Sequence, residues 1–172
     1  MKRLYLLRHA KSSWDDPTLA DHDRPLAPRG RRAANVMAKH LQRNEIAPKL
    51  VLCSESRRTR QTLKRIAPSL GGSPEVQIKS ELYAASSADL LEVLRELPDA
   101  VGSVMVIGHN PGIQDLALSL SRGGPDIARV RRKFPTGALA TLELEGSWRG
   151  LARGTAELTS FVKPKELAGG AA

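Results

Sequence analysis

Hydrophobic and polar positions follow two regimes along the chain. Four short apolar runs stand out: "LYLL" (4–7), "LVLC" (50–53), "SVMVI" (103–107) and the weaker "VQI" (76–78). Apolar runs of this length, without strict alternation, fit strands covered on both faces, as in a parallel sheet. Between them the spacing turns helical. Residues 29–43 place Ala33, Val36, Met37, His40 and Leu41 on one face, with Pro28 as the opening residue. Residues 57–67 carry Leu63, Ile66 and Ala67 and are closed by Pro68. In "SADLLEVLREL" (87–97), Leu90, Leu91, Leu94 and Leu97 form one stripe, with Ser87 as cap and Pro98 as stop. "PGIQDLALSL" (111–120) repeats the pattern with Ile113, Leu116, Ala117 and Leu120.

Strand and helix thus alternate four times, which predicts an α/β fold: a three-layer αβα sandwich with a mostly parallel sheet and helices on both faces. The last third differs. "ALATLELE" (138–145) and "TAELTSFV" (155–162) alternate apolar and polar residues and predict an antiparallel C-terminal strand pair at or near a sheet edge. One domain is expected over residues 1–165, with 166–172, ending in "AGGAA", as a flexible tail.

Composition narrows the function classes. With 172 residues, 41% of them hydrophobic, the chain can bury a single sizeable core. A net charge of +9 favours acidic partners, whether phosphate groups, nucleic acid or anionic membranes. Aromatic residues, however, make up only 3% of the chain, so platforms for stacking bases are few. The basic residues are also scattered, and no nucleic-acid-binding motif occurs, so no specific nucleic-acid partner is expected. The single cysteine, Cys53, excludes an internal disulfide, fits a reducing cytoplasm and reads as a buried strand residue. "MKRLYLL" imitates a signal peptide, but its apolar run stops too soon, and no stretch approaches the roughly 20 apolar residues of a membrane span. A cytoplasmic protein without a membrane partner is expected.

The chemistry sits where the apolar runs end. In open α/β sheets, ligands bind outside the carboxyl ends of the strands. The first run ends in Arg8-His9, the second in Ser54 followed by Arg57, Arg58 and Arg60, and the fourth in "GHNPG" with His109. A lone histidine after a strand most often only bonds a turn. Arginines in a first helical turn oppose the helix dipole, and a solvated basic face would explain them singly. Gathered at one sheet edge, they point instead to phosphoryl transfer. Guanidinium forks grip phosphate oxygens, a helix N-terminus adds backbone donors, and neighbouring cations bias a histidine towards its neutral, nucleophilic form. His9 can then take the phosphoryl group and pass it to water. Nothing in the chain asks for a metal or another cofactor. Histidine pairs lack ligand spacing, Asp15-Asp16 with His22 and Asp23 reads as a polar loop, and no GxxxxGK[ST] or GxGxxG loop occurs.

"LLRHA", the S-x-x-x-R-x-x-Q-T pattern from Ser54 to Thr62, and "GHNP" together resemble the histidine phosphatase superfamily, with its phosphoglycerate-mutase-like fold. "RHAKSSW", "DHDRPLAPRG", "ELYAAS", "VIGHNPG" and "FPTGALA" resemble its small phosphohistidine phosphatase branch. The resemblance covers the chain from Met1 to about Lys163. It implies that His9 is the phosphorylated nucleophile, that Arg8, Arg58 and His109 complete the catalytic phosphate pocket, and that Arg24 is a further phosphate-binding arginine. It also exposes a departure. Many members place a glutamate after the third strand as proton donor, whereas this chain has Tyr83-Ala84 there, with Glu81 as a weak candidate acid nearby. The chain is also too short for large cap insertions, which implies a shallow site suited to a phosphate carried on a protein.

The expected function is therefore hydrolysis of phosphohistidine on a protein substrate, in a signal-transduction setting, through an intermediate at His9. The alternatives are a small metal-independent phosphomonoesterase acting on phosphoserine, phosphothreonine or small phosphate esters and, from another class, a basic nucleic-acid-binding module. A catalytically silent phosphate sensor would not need both histidines. Trp14 reads as a loop anchor or as part of the rim, His40 as a helix-face residue, and "RVRRKF" (129–134) as an electrostatic collar or a solvated basic loop.

Overall fold

In the computed structural model, which describes residues 1–170, six strands form one sheet. They are β1 (Lys2–Arg8), β2 (Leu50–Ser54), β3 (Glu75–Lys79), β4 (Ser103–Gly108), β5 (Leu139–Leu144) and β6 (Ala156–Val162), in the order β3-β2-β4-β1-β5-β6. The first four pair with one another in parallel, while β5 runs antiparallel to β1 and β6 antiparallel to β5. The alternating strand pair thus closes one side of the sheet, as its pattern predicts.

The period of two in a strand divides the core between two faces. Leu4, Leu6, Leu50, Leu52, Val104 and Val106 point to one side, where α3 (Ser87–Arg95), α4 (Gly112–Leu120) and α5 (Ile127–Arg132) pack. Tyr5, Leu7, Val51, Cys53, Met105 and Ile107 point to the other, under α1 (Pro28–Arg43), α2 (Arg57–Ile66) and α6 (Pro164–Gly170). This is the expected three-layer sandwich. The edge strand β3 leaves Val76 and Ile78 largely exposed, which explains its weak pattern.

Four local expectations are corrected. Helix α1 buries Gly30, Ala34, Met37, Ala38 and Leu41, whereas Ala33, Val36 and His40 stay partly exposed. The small residues at four-residue spacing let its backbone approach the chain that follows β1, which turns the buried stripe by one position. Helix α3 is capped by Ser86 rather than Ser87: the Ser86 hydroxyl accepts from the Asp89 N–H, and the Asp89 carboxylate accepts from the Ser86 N–H. The basic segment 129–134 lies mostly in α5, where Val130 and Phe134 enter the core while Arg131, Arg132 and Lys133 face solvent. Helix α6 occupies most of the expected tail. Its Leu167 packs against the α1 side of the core, and its Glu166 pairs with Arg129. Residues 171 and 172 lie outside the described residues. Among the described residues, no helix is long and apolar enough to cross a membrane.

Two glycines lock loops against helices. A Cβ on Gly30 would stand 2.0 Å from the Lys11 carbonyl oxygen, and one on Gly112 would stand 2.2 Å from that of Ala85. In both cases the obstacle is backbone, so the loop itself must move. Gly30→Ala is expected to cost about 1–3 kcal/mol of stability, the usual cost of overpacking. Urea unfolding measures this, and an unchanged midpoint would show that the close approach is not built into the fold.

Candidate active site

The register of the central strands assembles the site. Arg8 stands opposite Gly108 in the β1–β4 pair, and the His9 N–H continues the ladder to the Gly108 carbonyl at 3.0 Å. One residue beyond both strands, His9 and His109 therefore face each other, with ring centroids 5.3 Å apart. Strand β2, on the other side of β4, ends at Ser54, and the chain turns at once into α2. The Ser56 hydroxyl caps that helix by accepting from the Thr59 N–H, which fixes Arg58 in the first turn. Arg58 is buried between the two rings, its Nε 3.4 Å from His9 Nε2 and an Nη 3.4 Å from His109 Nδ1.

Hydrogen bonds settle which histidine nitrogen carries the lone pair. His9 Nδ1 lies 2.7 Å from the Ala10 carbonyl oxygen. A carbonyl can only accept, so Nδ1 carries the hydrogen and Nε2 the lone pair, which accepts weakly from Arg58 Nε at the edge of the cleft. Arg58 can only donate, so His109 Nδ1 accepts from it and His109 Nε2–H donates to the Ser54 hydroxyl at 2.8 Å. Both rings are neutral at pH 7. Burial, reinforced by His109, Arg58 and Arg8, pushes His9 down to about 3. Burial and then Arg58 push His109 down to about 4. Desolvation outweighs the neighbouring cations, which alone were expected from the sequence to keep the nucleophile neutral.

A loop from 12 to 27 closes over the pair. Its base is an antiparallel bridge between Ser12 and Leu26, with the Ser13 N–H donating to the Pro25 carbonyl at 2.8 Å. From this loop Arg24 reaches inwards and donates to the Ser12 hydroxyl at 2.6 Å. Its Nε and one Nη, together with Arg8 Nε, are buried nitrogens without a hydrogen-bond partner. The Arg8 Nη1 donates to the Phe134 carbonyl at 2.9 Å. Burial, and then Arg58, draws both Arg8 and Arg24 below the ordinary arginine value. Three guanidiniums thus converge around two neutral imidazoles, with N–H groups left over. The complement to that arrangement is an anion with several acceptor oxygens.

The cleft of about 250 Å³ is lined by Arg8, His9, Lys11, Ser12, Trp14 and Arg24, and further by Arg58, His109, Asn110 and Thr136. All five basic and histidine residues singled out as site candidates (Arg8, His9, Arg24, Arg58 and His109) meet here. Glu81 does not. Its carboxylate is exposed and pairs with Lys79 at 3.3 Å, outside the cleft. The expectation that Glu81 supplies a weak acid meets this geometric obstacle: from the 3-10 turn Ser80–Leu82 its carboxylate pairs with Lys79 and does not join the residues that line the cleft.

Asp21 is a site residue that sequence reasoning missed. Its carboxylate oxygen accepts from Arg58 at 3.0 Å and from the Tyr83 hydroxyl, and its backbone carbonyl accepts from Arg58 at 2.7 Å. The Tyr83 hydrogen bond, then Arg58 and Arg24, hold the Asp21 carboxyl below the usual range, so it stays ionised. Its spacing three residues before Arg24, which gives an ion-pair distance of 3.5 Å, was the available signal. Tyr83 packs edge-on to His109 at 5.5 Å between centroids. Cys53 is no rival nucleophile, because burial pushes its thiol up to about 12. Among the described residues no group of three or more His, Cys, Asp or Glu side chains is placed to hold a metal ion.

Sheet and site together define a phosphate-handling α/β enzyme class, and comparison with known proteins narrows it. Residues 4–86 match the model of the histidine phosphatase superfamily (branch 1). An uncharacterised protein of Mycobacterium tuberculosis is 39% identical over 163 residues, covering 92% of this chain and all of the relative. A candidate phosphohistidine phosphatase SixA from Nakamurella multipartitia superposes with a TM-score of 0.83 at 32% identity, over 95% of this chain and 96% of its own. The protein histidine phosphatase SixA complexed with tungstate gives a TM-score of 0.78 at 25% identity, over 96% and 99% of the two chains. The chain belongs to the histidine phosphatase superfamily, a family of phosphatases, and has its phosphoglycerate-mutase-like fold.

Burying two neutral histidines makes the fold acid-sensitive. In the unfolded chain each takes a proton near the ordinary 6.5, whereas in the fold His9 does so only at about 3 and His109 at about 4. Between these limits the unfolded state binds more protons, so stability is intact above about 6.5 and falls as the pH drops towards 4. In His109→Asn the urea midpoint should fall less between pH 7 and pH 4.5 than in the wild type. An equal fall would show that His109 is already protonated in the fold.

Proposed function

We propose that this protein hydrolyses phosphohistidine on a protein substrate, through a phosphorylated His9. His9 Nε2 attacks phosphorus in line, and the substrate's imidazole departs. Arg8, Arg24 and Arg58 hold the non-bridging oxygens, whose charge rises in the transition state. His109 joins them by changing tautomer. A phosphate oxygen can only accept, so it selects the form with hydrogen on Nδ1, and Ser54 serves either form because its hydroxyl both donates and accepts. Water then attacks the phosphorylated His9, releasing phosphate and restoring neutral imidazole.

One observation carries the choice of substrate: the state of the acids beside the cleft. Asp21 is ionised and committed to Arg58, the Tyr83 proton is committed to Asp21, and the Tyr83 hydroxyl is raised above its ordinary value by that same bond. Neither gives up a proton readily. An alkyl phosphate must expel a strongly basic alkoxide, for which a positioned acid is worth roughly 10²–10⁴-fold. Phosphohistidine with a proton on the ring nitrogen away from phosphorus expels neutral imidazole, whose conjugate acid has an ordinary value of about 6.5, and needs little help from an acid of the enzyme. The open cleft and the SixA proteins among the similar structures support a substrate presented on a protein.

The test compares phosphohistidine, an aryl phosphate and an alkyl phosphate under identical conditions. Turnover should fall in that order, by at least about two orders of magnitude from first to last, the size of a missing acid. An alkyl ester cleaved as fast as phosphohistidine, with that activity lost in Glu81→Gln or Tyr83→Phe, would replace this reading with a phosphomonoesterase.

A further inference from the structure

Trp14 is the unexplained residue of the cleft. It is 70% exposed and belongs to none of the apolar clusters of the core. The other large hydrophobic side chains that stand exposed, Met1, Val76 and Ile78, lie at the chain start and on edge strand β3, away from the site. Trp14 instead lines the cleft beside His9 and Arg58. Single exposed apolar side chains are ordinary; what sets Trp14 apart is its place on the rim of the cleft with a buried arginine against its ring.

The loop geometry shows how the ring is held. Residues 12 and 13 pair with 26 and 25, so Trp14 and Arg24 leave the neck of the loop opposite each other. The Arg24 guanidinium lies over the indole, its carbon 3.4 Å from the ring centroid. Arg24 is itself buried and anchored to Ser12. One face of the indole is thus fixed by a cation that lines the cleft, and most of the remaining surface is open. A rigid aromatic surface at the edge of a phosphate site is suited to a flat ring attached to the phosphorus, because little order remains to be imposed on binding.

We propose that Trp14 is a specificity-determining residue that stacks the aromatic leaving group, which is the imidazole of phosphohistidine if the reading above holds. Arg24 couples the two halves of the substrate: it touches the indole that receives the ring, and it lines the same cleft as His9 and Arg58, where the phosphoryl group would sit. Substrates of the same P–N chemistry but without a ring lack the first contact and keep the second.

Phosphohistidine, phosphoramidate and an aryl phosphate separate these contacts in wild type, Trp14→Ala and Trp14→Phe. Trp14→Ala should raise KM about tenfold for the two ring-bearing substrates, the usual scale for losing a ring stacked on an aromatic side chain. KM for phosphoramidate should rise much less, and Trp14→Phe should recover most of the loss. A spectroscopic arm uses the two tryptophans, of which Trp148 is fully buried. Phenylphosphonate, which is not hydrolysed, should change the emission of Trp14, and methylphosphonate should change it far less. Equal KM increases for phosphoramidate and phosphohistidine would overturn the proposal and reduce Trp14 to a cover for Arg24. No change for any substrate would overturn it as well. The test stands apart from the choice of phosphohistidine: an enzyme that prefers esters but still needs Trp14 for aryl phosphates would contradict the earlier reading and sustain this one.

Discussion

His9→Ala should lose about four or more orders of magnitude in kcat, since removing a nucleophile from an assembled site typically leaves only residual catalysis from binding and electrostatics. The fold should survive. His9 holds the ladder through its backbone N–H, and its ring makes only a short bond to the adjacent Ala10 carbonyl and a long one, at 3.4 Å, from Arg58. Removing a histidine that burial keeps neutral also removes part of the acid sensitivity, so the variant should be no less stable than the wild type at pH 4.5. Steady-state kinetics on phosphohistidine together with circular dichroism decide the matter. Near-normal turnover in a folded His9→Ala would assign the nucleophile elsewhere.

Arg58→Ala should lower kcat/KM by about two to three orders of magnitude, as losing a strong contact to the transferring group does. Arg57→Ala and Arg60→Ala should each change it by less than about tenfold, the scale of a rim contact. The three arginines are close in sequence and distinct in place. Arg58 is buried between the histidines, whereas Arg57 donates to the Asp23 carbonyl and Arg60 to the Glu55 carbonyl from exposed positions. Losing Arg58 does a second kind of damage, because the Asp21 carboxylate then faces the incoming phosphate without its main cationic partner. Asp21→Asn added to Arg58→Ala should therefore recover part of the loss. Arg58→Lys should recover little, since a point charge cannot span His9, His109 and Asp21 as the planar fork does. Equal losses at all three arginines would instead indicate a diffuse basic surface.

Much of this was legible in the sequence because it depends on local rules. Apolar runs located the four parallel strands, and the change to alternation located the antiparallel pair. The parallel pairing of β1 with β4 then brings Arg8, His9 and His109 together without further information. The misses have physical causes. Helix α5 is only six residues long and half basic, so its one buried residue, Val130, and Phe134 just beyond it give no periodic signal. Helix α6 ends in two glycines, and its partners, α1 and Arg129, lie far away in sequence. In the site, Asp21 and Tyr83 are 62 positions apart and meet only because the loop from 12 to 27 folds over the sheet edge. Glu81 shows the limit of sequence distance: it is close in sequence to the expected acid position, yet its carboxylate pairs with Lys79 outside the cleft lining.

Rapid quench of a single turnover with a labelled phosphohistidine donor tests the account most directly. The label should appear on His9 within the first turnover, stable to base and labile to acid, and should be absent in His9→Ala. It should also form at least about a hundredfold faster than from an alkyl phosphate, because only the alkoxide needs the missing acid. A label that resists acid, one that sits on another residue, or one that forms equally fast from the alkyl ester would contradict it.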